Sequence, residues 1–181
     1  MRLRTCEMRN SEWGRRIGWR RLRPFRTPHF AFAIFAAACS PTTTRPDFRP
    51  LPLARVVRIY ARPQQVIPVL ATVIAAESLR VRQVSVRDGY VETDWYDTRT
   101  HRSVQNDAAV KDLPHSVKVR CWADPYVPGQ TLLTLEVAYR TRHDPSRTGR
   151  DLEILVGEKQ PGDTLAERIL AQLTQQFGAP Q

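Results

Sequence analysis

The sequence is poor in the residues that build most reactive sites. Its 181 residues include three cysteines, four histidines and eight glycines. There is no Cys-x-x-Cys, His-Glu-x-x-His, Gly-x-Ser-x-Gly or glycine-rich phosphate loop, so the common metal, hydrolase and nucleotide signatures are missing. Long apolar runs are missing too. Phe30 to Ala38 is an unbroken apolar stretch, but nine residues span only ~14 Å as a helix, against a hydrocarbon core of ~30 Å. That run cannot cross a membrane. Acidic residues are scarce at the N-terminal end: residues 1–38 hold nine arginines against Glu7 and Glu12, a net +7. Residues 39–181 hold 19 basic and 16 acidic residues, a net +3. The formal charge of +10 therefore belongs mostly to the first fifth of the chain. The remainder, in a chain with 41% hydrophobic and 25% charged residues, has the balance of a globular domain.

What is present at the N-terminal end has a recognisable order. An arginine-rich segment precedes the short apolar run, and Ala36-Ala37-Ala38 leads directly into Cys39. A basic region, an apolar core and small residues make the layout of a secretory signal. With the cysteine in place, the segment resembles a bacterial lipoprotein precursor, with Ala36 standing where that family favours Leu. The resemblance implies that residues 1–38 are a signal peptide and that Cys39 becomes the lipidated N-terminus. It also implies, with Ser40 rather than Asp following, a periplasmic location on the outer membrane. The competing reading of the arginines is a basic arm for nucleic acid. The next segment favours export. Residues 39–53 carry Pro41, Pro46, Pro50 and Pro52 among threonines and arginines, the composition of a tether. Fourteen extended residues would hold a domain ~43 Å from its anchor. The expected partners are thus a membrane, through the lipid on Cys39, and an envelope protein, with no nucleic acid. Cys121 is left as the one free thiol of the mature domain, so no intramolecular disulfide is expected.

Residues 54–178 read as a single domain. Val57, Ile59 and Ala61 alternate with Arg58, Tyr60 and Arg62 as a half-buried strand, and Pro63 opens a helix to about Leu79. Two hairpins follow. The first turns at Asp88-Gly89, a strong turn signal, between Val84-x-Val86 and Val91-x-Thr93-x-Trp95. The second turns near Pro128-Gly129, between the alternating runs Val117 to Ala123 and Leu133 to Tyr139. Residues 98–114 are polar and aperiodic and read as a long loop. Leu152 to Val156 suggests a short further strand. The final helix has the stripe Leu165, Ile169, Leu173 and Phe177, with Thr164 and Glu167 spaced as a capping box. The expected fold is α+β. An antiparallel sheet of five to six strands is packed by two helices on one face, in the order β-α-β-β-β-β-(β)-α, as in a helix-grip domain.

That order and the strand Gly89-Tyr90-Val91-Glu92-Thr93-Asp94-Trp95 resemble the domains of the BamC (NlpB) lipoproteins of the outer-membrane β-barrel assembly machinery. The resemblance covers about Arg55 to Phe177. It implies an envelope scaffold and carries over no catalytic residue.

No catalytic, metal-binding or cofactor-binding residue is assigned from the sequence, and no cofactor is expected. His101, His115 and His143 are scattered without ligand spacing. Glu92 and Asp94 share one parity, but an exposed strand face explains them better than a glycosidase pair. Parity puts Cys121 in the core. The same parity turns Arg58, Tyr60, Tyr90, Tyr96, Arg120 and Trp122 away from the helices. Aromatics and arginines are enriched at protein interfaces, so this face is the candidate docking surface; a merely solvated sheet is the alternative. The function expected is a non-catalytic scaffold or protein-interaction module in the envelope. A small-ligand carrier and an envelope hydrolase are the other classes.

Overall fold

The computed structural model describes residues 43–106 and 110–178. The expected signal peptide, Cys39 and the first residues of the expected tether lie outside the described residues. The α+β class is as expected, with more strands than the periodicity suggested. The elements are β1 (Arg55–Ile59), α1 (Pro63–Ala76), β2 (Val81–Ser85), β3 (Tyr90–Thr93), β4 (Trp95–Asp97), β5 (Arg102–Val104), β6 (Ser116–Pro125), β7 (Thr131–Arg140), β8 (Glu153–Leu155) and α2 (Asp163–Phe177). The ten-residue strands β6 and β7 form the central hairpin, paired from Val117↔Tyr139 to Pro125↔Thr131. Short strands flank it in tandem. β1 and β8 share the free side of β7, while β3 and β4 share the free side of β6, with β2 and β5 beyond them. Every pairing is antiparallel.

Both helices supply their apolar stripes to one core. Pro63 starts α1, where a missing N–H costs nothing, and the Arg62 N–H is taken up by Gln65 Oε1 at 3.1 Å. Val66, Ile67, Leu70, Val73 and Ile74 then face Val91, Val119, Cys121, Leu133 and Leu135. Pro68, near the first turn, leaves the helix unbroken. In α2, Leu165, Ala166, Ile169 and Leu173 are buried, but no side chain caps its start. The expected Thr164–Glu167 box does not form, and Asp163 instead accepts from Arg55 and from the Lys159 N–H. Leu135→Ala, at a side chain 1% exposed, is expected to cost ~2–5 kcal/mol in urea unfolding. A silent substitution would mean that the strand faces the other way.

Two local features depart from simple alternation. Gly89 has φ +62, and a Cβ there would lie 2.3 Å from the Ala123 carbonyl oxygen. Only glycine fits that turn. The second feature is a one-residue bulge between β3 and β4: Glu92 pairs with Arg120, whereas Tyr96 pairs with Val117. The Thr93 hydroxyl fills the gap, accepting the Val119 N–H at 3.0 Å. A bulge flips the parity of everything after it. Tyr96 is therefore in the helix-side core and Trp95 is on the opposite face, the reverse of the expectation.

The expected tether is also corrected. From Thr44 to Leu51 the chain lies against the sheet as a strap, held at both ends. The loop expected over 98–114 contains β5 and a 3-10 turn at Leu113–His115.

Candidate interaction face and the strap that covers it

On β6 the residues from Ser116 to Ala123 are all buried, on both faces of the strand. One face meets the helices. The other carries Lys118, Arg120 and Trp122, with Glu136 and Arg140 from β7, Tyr90 and Glu92 from β3 and Glu153 from β8. Cross-strand register puts Arg120 directly opposite Glu136, and Trp122 directly opposite Tyr90. Arg120 Nη1 sits 2.9 Å from Glu136 Oε1 and 2.6 Å from Glu153 Oε2, and its Nη2 reaches Glu153 Oε1 at 3.1 Å. Arg150 closes the ring at 2.5 and 2.9 Å from the two oxygens of Glu136. Arg140 adds a 3.2 Å bond to Glu153. Glu92 takes Lys118 at 3.4 Å and the Tyr90 hydroxyl at 2.7 Å.

Buried charges persist only when paired and hydrogen-bonded. Here the strap completes the pairing and excludes water. The Leu51 N–H donates to Glu136 Oε2 at 2.7 Å, and Arg150 donates to the Arg49 carbonyl at 2.8 Å. Phe48 is the plug. Arg150 and Arg120 lie 4.4 and 5.2 Å from its ring, and Trp122 meets it edge-on at 6.4 Å. Further along, Arg45 grips both oxygens of Asp124 at 2.6 and 3.2 Å. The Thr44 N–H and hydroxyl reach Asp88 Oδ2 at 2.9 and 3.0 Å, holding that carboxyl down at about 2 together with Ser85.

The six candidate interface residues therefore have three different fates. Tyr90 and Trp122 are fully buried, and Arg120 is 4% exposed, beneath the strap. Tyr96 is in the core, its hydroxyl 3.0 Å from His101 Nδ1. Only Arg58 and Tyr60 are exposed. Parity found the right face for Tyr90, Arg120 and Trp122 and missed its cover. Phe48, Arg140, Arg150, Glu136 and Glu153 were not singled out. The charges at alternate positions of β6 and β7 were the available signal, because Lys118, Arg120 and Glu136 are all outward at period two.

Burial alone would raise the Glu153 carboxyl, but hydrogen bonds and charge from Arg120, Arg150 and Arg140 hold it below the usual range. Burial, with Glu92 beside it, pushes the Tyr90 hydroxyl far up. Burial likewise raises the Cys121 thiol, with Glu136 adding to the effect. A thiol kept protonated and out of reach is a core residue. His115 Nδ1 lies 2.8 Å from Asp112, and His143 Nε2 lies 3.1 Å from the Val110 carbonyl. Among the described residues no group of three or more His, Cys, Asp or Glu is placed to hold a metal ion. A cleft of about 320 Å³ opens beside the start of α2, between Leu53, Arg55, Leu135, Val156 and Asp163. No protein-family model and no curated protein matches the chain.

Proposed function

We propose that the protein is an envelope lipoprotein, anchored through Cys39 in the outer membrane on its periplasmic side, where it acts as a non-catalytic scaffold for an envelope protein. The observation that carries this reading is the leader, in which the basic segment and Phe30 to Ala38 run straight into Cys39. The sequence resemblance of Gly89 to Trp95, with the element order read from the sequence, to the BamC lipoproteins supports a place in outer-membrane assembly. The scaffold reading is favoured over a ligand carrier by the large side chains filling the space between helices and sheet, Ile67, Leu70, Leu133 and Ile169 among them. It is favoured over a hydrolase by the full engagement of the buried carboxylates with arginines. With the aromatic–arginine face sealed, the cleft beside α2, where Leu53 is 92% exposed, is the partner surface in this reading.

The intact mass of the protein from its native host tests the anchor. The mature chain is expected to begin at Cys39 and to carry lipid on it, and Cys39→Ala is expected to accumulate unprocessed. A mature chain that begins at any other residue removes the anchor and the envelope location with it. Crosslinking the anchored protein in its own membrane then identifies the partner.

A further inference from the structure

Among the described residues eight large apolar side chains are exposed, and four of them, Tyr60, Val86, Tyr126 and Val127, lie in the turns at one end of the sheet. The register explains the gathering. β1 ends at Ile59 opposite Thr131, β6 ends at Pro125 opposite Thr131, and β2 ends at Ser85 opposite Tyr90. The turn after β6 therefore lies between the turn after β1 and the turn after β2 along this end. Arg58, Arg62 and Arg87 are exposed at or beside these turns, and Arg58 lies 5.0 Å from the Tyr126 ring. The carboxylates nearby are already engaged, Asp88 by Thr44 and Ser85 and Asp124 by Arg45. What this end presents is apolar and cationic.

It is also the end at which the chain arrives from Cys39. Thr44 is fixed to Asp88 in the β2–β3 turn, and only residues 40–43 separate it from the anchor cysteine. Five Cα steps reach at most ~18 Å, far short of the ~43 Å allowed to a free tether. We infer that this end of the sheet docks on the anionic lipid surface of the membrane that carries the anchor. This inference rests on the lipoprotein reading proposed above. Tyrosines and valines enter the headgroup boundary while guanidinium groups bind lipid phosphates. The strap thus fixes orientation as well as reach.

The test uses the acylated protein purified from its host and reconstituted in vesicles, with backbone hydrogen exchange followed at residues 82–88 and 126–130. Exchange there is expected to slow on vesicles of phosphatidylglycerol mixed with phosphatidylcholine, relative to phosphatidylcholine alone, and to recover at high salt. Arg58→Gln with Arg87→Gln changes two exposed side chains and is expected to shift the docked-to-free balance roughly 25-fold toward free, about fivefold per arginine. Tyr126→Ser is expected to weaken docking on the same vesicles while its unfolding midpoint stays that of the parent. Equal exchange on both vesicle types, with the mass confirming acylated Cys39, overturns the docking and leaves the anchor standing. A mass without lipid at Cys39 overturns both.

Discussion

Trp122→Ala is expected to destabilise the domain by ~3–5 kcal/mol, roughly a fifth or more of the stability of an ordinary domain. The ring is fully buried, 5.5 Å from Tyr90 and capped by Phe48. Its removal leaves a large cavity between sheet and strap, and neither the rigid β6–β7 ladder nor the paired arginines can move in to fill it. On the view that this face is free for a partner, the same substitution would leave the fold intact and weaken only binding. Urea unfolding separates the two. A variant with the stability of the parent would mean that the strap does not seal the face.

The second large effect is expected at Glu136, which no solvent reaches and which accepts from Arg120, Arg150 and the Leu51 N–H. Glu136→Ala would leave Arg120 and Arg150 to share the Glu153 carboxylate alone, two buried or half-buried guanidinium groups on one carboxylate. Breaking a buried pair in this way costs about 3–5 kcal/mol. The strap should loosen with it, making Phe48 accessible to protease or exchange. Acid should act on the same cluster. The Glu153 carboxyl is held below its usual value in the folded state, so the folded protein binds that proton less readily than the unfolded chain does. Its contribution to stability is fully present above the unfolded pKa of ~4.3 and is lost as the pH falls through the lower folded value. Urea midpoints measured between about pH 7 and pH 2 should therefore fall on the acid side of ~4. A fall centred near pH 6 would point to histidine instead.

Much of this architecture could be read from local pattern. The hairpin at Asp88-Gly89 needed only its turn chemistry, and the φ of +62 at Gly89 explains the residue. The helix stripes and the alternation in β6 and β7 placed Leu133, Leu135, Ile169 and Leu173 in the core, where they are. Those signals are legible because a period of two or 3.6 has a single physical cause, one face turned toward the core. The short strands β4 and β5 escaped because three residues are too few to show a period.

The sequence by itself determined the fold class, the two-helix core and the face on which Arg120, Trp122 and Tyr90 stand. Only the tertiary structure decided which face is wet. Alternation reports that two sides of a strand differ, and charged residues on one side ordinarily mean solvent. Here opposite charges on adjacent strands neutralise one another, and a segment about forty or more residues away in sequence closes over them. No local pattern carries that information, since Phe48 among prolines looks like any residue of a linker until it meets the arginines it covers. The reversal of Trp95 and Tyr96 has the same origin: one extra residue after Thr93 is invisible to periodicity, yet it turns each following side chain to the opposite face.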